Sequence, residues 1–304
     1  MGTKTPPEIE KKIVDLLEKG LTSREIAKNL FGKASRKSTV NYVINRLGLR
    51  KPKNELKGYM TPKGSQKKIE QEKDNSRVLL ISDLHFPYEH RDTLKFLEYL
   101  KEKYDPTRII SLGDELDQHC LSYHDSDPDL FSASGELNEA KKRVKNLKQL
   151  FPEMDILESN HGSLIWRKAK THGIPKEYIK SYQDVIGVDD LWKWHFELTI
   201  DLPNGQKCYF THGKTTDVVK LSQQMGMNAV QGHYHEKFGI QYWGNPTGLY
   251  WGLQVGCLVD DDSLAFSYNN TNIKRPIIGT GLIIDSQPVL EPMILDSNGR
   301  WIHR

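Results

Sequence analysis

The chain has 304 residues, of which 37% are hydrophobic and 27% are charged, as is typical of a soluble globular protein. No apolar run approaches the roughly 20 residues that a membrane-spanning helix needs, and the polar start MGTKTPPEIEKK differs from a secretory signal. The cysteines, Cys120, Cys208 and Cys257, lie far apart, which fits a reducing cytosol better than a disulfide-stapled fold. We therefore expect a cytoplasmic protein with no membrane partner, long enough to contain two domains.

Charge is divided unevenly along the chain. Residues 1–75 hold 18 Lys and Arg against 9 Asp and Glu, whereas the remaining residues hold 25 against 31. A basic N-terminal part on an acidic remainder favours a polyanionic partner for the basic part. A solvated basic tail would have the same charge, so the pattern within this part has to decide between the two interpretations.

The first 50 residues carry three helical patterns. PPEIEKKIVDLLEKGL predicts a first helix that begins at Pro7 and ends near Gly20. TSREIAKNL predicts a second helix, which Thr22 and Glu25 would begin with a capping box. After the turn FGKAS, RKSTVNYVINRLGL predicts a third helix. The predicted buried side of this third helix consists of Val40, Val43, Ile44 and Leu47.

The opposite face of the predicted third helix is polar. It carries Arg36, Lys37, Thr39, Asn41, Tyr42, Asn45 and Arg46. With the pattern G-L-T-x-x-E-I-A at the second helix, these 50 or so residues resemble helix-turn-helix DNA-binding domains. The resemblance implies that the third helix lies in the major groove, where its polar face contacts phosphates and base edges. Three short helices also form protein-docking modules or serve stability alone, and the sequence leaves these alternatives open.

A polar stretch without hydrophobic periodicity follows the helices. It carries Pro, Gly and many Lys, a composition typical of a flexible linker. We therefore predict three parts: a small all-α helix-turn-helix domain over residues 1–52, hereafter the head; a linker over residues 53–75; and a larger domain over residues 76–304, hereafter the body.

In the body, strand-like and helix-like patterns alternate, and polar motifs close the strand-like runs. SDLH, LGDELD and ESNHG follow the first three runs, with a helical pattern between each pair of neighbours. FTHGK and GHYH close two later runs. This alternation predicts an α/β sheet whose functional side chains lie where strands end.

The five motifs together supply carboxylates, imidazoles and one amide. Such a mixed set binds borderline divalent metals such as Mn, Fe or Zn. Seven ligands exceed one closed site but suffice for two ions that share a bridging carboxylate. Paired ions about 4 Å apart suit phosphate-ester hydrolysis, because they hold phosphoryl oxygens, activate a water and spread the transition-state charge. A single His at a strand end is more often structural, but that explanation does not extend to five motifs in this order.

The order of the motifs resembles the calcineurin-like metallophosphoesterase superfamily, whose signature runs D-x-H, G-D-x-x-D, G-N-H, H and G-H-x-H. The resemblance covers about residues 76–260 and implies an α/β fold, a four-layer β-sandwich flanked by helices. It also implies two divalent ions, Mn in the first place and Fe, Zn or Ni as alternatives. The implied ligands are Asp83, His85, Asp114 and His235 for one ion, and Asp114, Asn160, His212 and His233 for the other, with Asp114 as the bridge.

The resemblance further implies a catalytic pair. His161 would contact the substrate and protonate the leaving oxygen, and Asp117 would orient it and favour its charged form. Asn160 would then place a metal ligand directly beside a proton donor. The chain departs from the family at Ser159, where Gly is common, at Gly162, where an acid is usual, and at Gln118, where Ser/Thr phosphatases have a phosphate-binding Arg. These departures weaken a protein-phosphatase interpretation but replace no ligand.

Taken together, these features predict a metal-dependent phosphodiesterase, a nuclease that its head brings to DNA. The alternative is a phosphomonoesterase for nucleotides or phosphoproteins, with a head that localises or regulates it. A third hypothesis is a DNA-binding regulator with an inactive centre, against which the complete ligand set and His161 argue. The sequence leaves the metal and the oligomeric state open.

Overall fold

A computed structural model describes residues 5–19, 21–47, 73–122, 129–260, 263 and 275–303. The chain forms two compact units, and the division between them falls after Glu55. The predicted linker over residues 53–75 lies outside the described residues except for its last three. None of the described helices is long and apolar enough to cross a membrane.

The N-terminal unit contains the three predicted helices. They are α1 (Pro7–Glu18), α2 (Ser23–Phe31) and α3 (Lys37–Arg46). The predicted capping box is confirmed: the Thr22 hydroxyl accepts the Glu25 N–H, and the Glu25 carboxylate accepts the Thr22 N–H at 2.8 Å. Gly32 ends α2 in the left-handed conformation, which glycine adopts without steric cost.

These helices bury one small core. It consists of Ile13, Ile26, Ala27, Val40, Val43 and Ile44. Leu47, which the sequence predicts to be buried, is 42% exposed, because it lies beyond the last residue of α3 and off its apolar face. That these helices form a DNA-binding module remains a prediction.

The C-terminal unit is built on two sheets. The six-stranded sheet contains β1 (Arg77–Ile81), β2 (Arg108–Ser111), β3 (Met154–Leu157), β4 (Trp192–His195), β10 (Gly279–Ile284) and β11 (Gln287–Pro292). Its spatial order is β11-β10-β1-β2-β3-β4, in which β1 to β4 run parallel and β10 and β11 pair antiparallel.

The five-stranded sheet contains β5 (Leu198–Asp201), β6 (Lys207–Thr211), β7 (Asn228–Gln231), β8 (Phe238–Asn245) and β9 (Gly248–Val255). Its spatial order is β5-β6-β7-β9-β8. The central strands β6, β7 and β9 run parallel, and the edge strands β5 and β8 are antiparallel to their neighbours.

Helices cover the outer faces of both sheets. They are α4 (Thr93–Tyr104), α5 (Ala133–Leu150), α6 (Leu164–Thr171), α7 (Tyr182–Ile186) and α8 (Val218–Met225). Leu79 of β1 packs with α4, α5 and α7, whereas its neighbour Leu80 packs against the five-stranded sheet. This alternation follows the two-residue period of a strand. On the far side, Leu221 of α8 packs on β6 and β7. The layers therefore run helix, sheet, sheet, helix.

This topology brings the ends of distant strands together. Because β1, β2 and β3 are parallel neighbours, their carboxyl ends lie at one edge of the six-stranded sheet. The parallel strands β6 and β7 likewise end together in the other sheet. The five motifs follow these five strands, so the fold positions all of them for a common site.

Candidate metal centre

The loops after these strands use a backbone conformation that L-residues rarely adopt. The φ angles of Asp83, His85, Asp114, Gln118 and His233 are 51°, 48°, 55°, 55° and 68°. In this left-handed region the Cβ atom crowds the backbone, so each such residue needs surrounding contacts to hold it there. Such outliers cluster at functional sites.

Two glycines allow the motif loops to approach each other. A Cβ at Gly232 would lie 2.6 Å from Asp83 Oδ2, and a Cβ at Gly113 would lie 2.9 Å from the main-chain oxygen of Leu157. Gly113 also has a φ of 104°. The glycines of the GHYH and LGDELD motifs are therefore required by close packing between loops.

The first group of candidate ligands contains Asp83, His85 and His235. Asp83 Oδ1 lies 3.2 Å from His235 Nε2 and 3.9 Å from His85 Nε2. Asp83 Oδ2 accepts the main-chain N–H of His233 at 2.9 Å. Burial alone would raise the pKa of Asp83, but hydrogen bonds from His235 and His85 hold it well below its ordinary value. Asp83 is therefore a buried, charged carboxylate between two imidazoles.

The second group surrounds His212. Its Nε2 lies 2.7 Å from Asn160 Oδ1, 3.1 Å from Asp114 Oδ2 and 3.1 Å from His233 Nδ1. His212 Nδ1 donates to the main-chain oxygen of Leu112 at 2.9 Å, which fixes the orientation of the ring. Burial alone would lower the pKa of His212, but the Asp114 carboxylate raises it to about 9.

Asp114 lies between the two groups. Its Oδ2 is 3.7 Å from His85 Nε2 as well as close to His212, and its Oδ1 accepts the main-chain N–H of His161 at 3.0 Å. The structure thus brings all seven predicted ligand residues into one cluster, with Asp114 in the position that the resemblance gives to the bridge. In each of two triplets, the ligand atoms lie within 4.8 Å of one another. The triplets are Asp83 with His85 and His235, and Asp114 with His212 and His233.

The donor set fits divalent cations. It combines two carboxylates, one amide oxygen and four imidazoles, and the two carboxylates are 0% and 1% exposed. Buried carboxylates and imidazole lone pairs that face one another need a shared cation or protons between them. Oxygen and imidazole ligands suit Mn, Fe and Zn. Two such ions would supply Lewis acidity toward a bound substrate and lower the pKa of a bound water.

Asp117 contacts a candidate ligand as well as the candidate acid. Its Oδ1 lies 2.7 Å from His85 Nδ1, which turns His85 Nε2 toward Asp83 and Asp114. His161 Nδ1 donates to the main-chain oxygen of Asp117, and the Asp117 carboxylate lies 3.9 Å away. Burial lowers the pKa of His161, with the Asp114 charge opposing that shift. In this structure Asp117 therefore orients His161 through its main chain and His85 through its carboxylate.

Asp117→Asn is expected to weaken Mn²⁺ affinity by about 10–100-fold, because the amide loses the charge that holds the His85 ring in place. Calorimetric titration with Mn²⁺ measures the effect. Glu115→Gln is the control, since it changes another buried carboxyl of the same loop, which bonds to Ser111 Oγ at 2.6 Å. Equal Mn²⁺ affinities for wild type and Asp117→Asn would contradict this role of Asp117.

Sequence reasoning missed three residues that support the site. Ser159 Oγ accepts the main-chain N–H of Asp114 at 2.9 Å, and Gln118 Nε2 donates to the main-chain oxygen of His161 at 2.6 Å. The Glu136 carboxylate of α5 accepts a main-chain N–H of the turn that follows Gln118, also at 2.9 Å. Ser159 and Gln118 were visible in the sequence as departures from the family pattern. Glu136 stands in an ordinary helical pattern and gave no signal.

The candidate DNA-contacting residues lie on α3 or directly before it. Four are exposed, namely Arg36, Lys37, Tyr42 and Arg46. Thr39 and Asn41 are half-buried, and the side chain of Asn45 lies outside the described part of the chain. Arg46 forms an ion pair with Glu10 of α1, so a DNA phosphate would have to compete with that carboxylate.

Comparisons with known proteins give limited likeness. No protein-family model and no curated protein sequence matches the chain. Vps29 from Chaetomium thermophilum is 11% identical, with 74% of this chain and 92% of that chain covered and a TM-score of 0.41. Vacuolar protein sorting 29 from Cryptosporidium parvum is 15% identical, with 71% and 96% covered and a TM-score of 0.35. Nuclease MPE from Pseudomonas putida is 14% identical, with 71% and 86% covered and a TM-score of 0.29. These TM-scores are too low to support a conclusion about the function of this chain.

Proposed function

We propose that this protein is a metal-dependent phosphodiesterase that hydrolyses DNA and that its head binds the DNA. The observation that carries the proposal is the convergence of seven ligand-type side chains from the ends of five strands, with His161 beside them. The two carboxylates, Asp83 and Asp114, are buried, as metal-binding carboxylates in a water-poor cleft are.

The contacts of His161 support a role as the proton donor. Its Nδ1–H is engaged by the main-chain oxygen of Asp117, which leaves Nε2 for a substrate. The His161 side chain is 22% exposed, so a ligand can reach it from solvent. In the reaction a water oxygen forms a bond to phosphorus, and the bond from phosphorus to the leaving sugar oxygen breaks. The sugar oxygen takes the proton from His161. The attacking water releases a proton to solvent, and His161 regains one from solvent before the next turnover.

The choice of DNA as the substrate rests on charge. The body has more acidic than basic residues, whereas residues 1–75 hold twice as many basic as acidic ones. A negatively charged polymer would therefore gain its affinity mainly from the head, whose exposed Arg36 and Lys37 stand at the start of α3. Hydrolysis of a polymer bound in this way is phosphodiester hydrolysis.

The testing experiment compares two small substrates in Mn²⁺, bis-p-nitrophenyl phosphate and p-nitrophenyl phosphate, beside a plasmid-nicking assay. Asp114→Asn serves as the blank. Diester cleavage with plasmid nicking supports the proposal. Cleavage of the monoester alone would replace it with a phosphomonoesterase, and DNA binding without any hydrolysis would replace it with a DNA-binding regulator.

The part played by the head has its own test. Arg36→Gln/Lys37→Gln is expected to weaken binding to duplex DNA and to reduce the slope of log K against log salt by about 2, because each phosphate contact contributes about 0.9. Fluorescence anisotropy at several salt concentrations measures the slope. Hydrolysis of bis-p-nitrophenyl phosphate should be unchanged.

Lys11→Gln/Lys12→Gln is the matched control, since it removes two exposed charges from α1 of the same unit. Equal losses of DNA affinity in the two variants would mean that net charge alone attracts DNA. An unchanged slope in the α3 variant would exclude α3 as the DNA-binding helix.

A further inference from the structure

A basic segment stands next to the candidate site on the acidic body. Residues 163–180, SLIWRKAKTHGIPKEYIK, hereafter the α6 surface, comprise α6 and the turns after it. The α6 surface carries five Lys and Arg against a single acid, Glu177. Arg167, Lys170 and Lys180 are exposed. The α6 surface is therefore net positive, whereas acidic residues outnumber basic ones in the body as a whole.

Aromatic side chains lie among these charges. Tyr178 is 82% exposed, the highest value among the large hydrophobic side chains that the structure describes. Trp166 is half-buried, and Lys176 Nζ lies 4.7 Å from the centroid of its ring. Ile174 beside them is 44% exposed. Cations interleaved with accessible aromatic rings are typical of surfaces that bind single-stranded nucleic acid, where phosphates meet the cations and bases stack on the rings.

The start of the α6 surface adjoins the site. α6 begins at Leu164, whose N–H donates to the main-chain oxygen of His161 at 3.1 Å. Lys168 Nζ donates to the main-chain oxygen of Ser122 at 3.2 Å, which ties α6 to the loop that carries Asp117. At a rise of about 1.5 Å per residue, the first turn of α6 lies within about 10 Å of His161.

Another basic stretch of the body, on α5, lacks aromatic side chains. On α5, Lys142 pairs with Glu139, Arg143 with Glu89 and Lys148 with Asp189. The sequence of α5 contains no Phe, Tyr or Trp. Three of the five basic residues of α5 are therefore paired with carboxylates, and α5 offers no ring for a base.

We propose that the α6 surface holds a single strand of DNA on its way to or from the phosphate that is cleaved. This inference rests on the proposed function and names the form of the substrate at that same site. A single strand is favoured over a duplex because the bases must be unpaired to stack on Tyr178. The basic residues meet the backbone of the strand, and the ring holds one base beside the site.

The test uses the full chain and two variants, Tyr178→Ala and Arg167→Gln/Lys170→Gln/Lys180→Gln. Tyr178→Ala is expected to weaken binding of an oligothymidine strand and to raise the KM for its cleavage by about 10-fold, the effect of losing one stacked base. The triple variant is expected to reduce the salt slope of strand binding by about 2, at about 0.7 for each contact. Turnover of bis-p-nitrophenyl phosphate should stay at the wild-type value, because this substrate has no nucleotide chain that could lie along the α6 surface.

Matched controls are Tyr242→Ala, which removes a 52% exposed ring from β8, and Lys141→Gln/Lys145→Gln, which removes two exposed charges from α5. Both should bind the strand like wild type. Because Tyr178 is so exposed, its removal leaves the core intact, and this variant keeps the test decisive if the triple variant is unstable.

Each outcome bears on one of the two proposals. If both α6 variants had the strand affinity and salt slope of wild type, the α6 surface would not bind the strand. The proposal of diester hydrolysis would be unaffected. Equal weakening of duplex and strand would overturn the single-strand assignment. If wild type hydrolyses no diester but Tyr178→Ala still weakens strand binding, the α6 surface binds a single strand and the proposed nuclease activity is wrong.

Discussion

Asp114→Asn is expected to abolish hydrolysis of both bis-p-nitrophenyl phosphate and DNA, while DNA binding by the head persists. Asp114 Oδ2 lies 3.1 Å from His212 Nε2 and 3.7 Å from His85 Nε2, so this one carboxylate serves both ligand groups. An asparagine keeps one neutral oxygen and loses the charge that both ions would share. Because the proposed reaction would depend on both ions, the loss should exceed that of any single terminal ligand.

The measurement combines hydrolysis rates with the Mn²⁺ stoichiometry from calorimetry. DNA affinity is the internal control for folding of the N-terminal unit, and the melting temperature is the control for folding of the body. Asp201→Asn, an exposed carboxyl on β5, is the matched substitution and should retain full activity. Activity of Asp114→Asn within tenfold of wild type would rule out a bridging role.

His161→Ala is expected to lose about 10²–10⁴-fold in turnover while it keeps the Mn²⁺ stoichiometry. The side chain is outside the seven candidate ligands, and its contact with Asp114 is made by the main-chain N–H, which alanine retains. The loss should be largest for DNA, whose sugar oxygen leaves poorly without a proton. It should be smaller for bis-p-nitrophenyl phosphate, whose nitrophenolate leaves without one.

Comparison of the two substrates gives this prediction its specificity. His119→Ala removes a neighbouring buried imidazole, whose Nδ1 lies 3.7 Å from Asp117 Oδ2, and it should not discriminate between leaving groups. If His161→Ala reduced both substrates equally, His161 would act in binding rather than as the acid. Full activity with DNA would exclude any catalytic role for His161.

The sequence predicted the strands that matter for the site, because each is a short apolar run that ends in a distinctive polar motif. β1 before Asp83, β2 before Asp114 and β3 before Asn160 are all present, and β6 and β7 end before His212 and His233 as expected. The capping box of α2 was also predicted correctly, because it depends only on residues that are close in sequence.

Strands that no such polar motif follows were not predicted. Trp192 and Trp251 are buried, at 1% and 3% exposure, as parts of two such strands, β4 and β9. Trp243 stacks on Tyr250 across the β8–β9 hairpin. Strands with mixed burial show no clean alternation, and only the neighbouring strand reveals which face is covered.

The contacts within the site were also beyond prediction from sequence. Nothing local indicates that the Asp117 carboxylate reaches His85, 32 residues earlier in the chain, or that Ser159 Oγ accepts the N–H of Asp114. Such contacts depend on how two loops from different strands meet. The family pattern names residue types at positions, whereas hydrogen bonds follow from the left-handed turns that the backbone takes there.

The division of the site between the two sheets has a consequence for the synthesis of the protein. Asp83, Asp114 and Asn160 follow strands of one sheet, while His212, His233 and His235 follow strands of the other. A growing chain on the ribosome therefore lacks half of the site until β7 and the motif after it have emerged, and contacts this distant form late in folding. A cation that binds only the joined sheets would then favour the finished fold over every shorter intermediate.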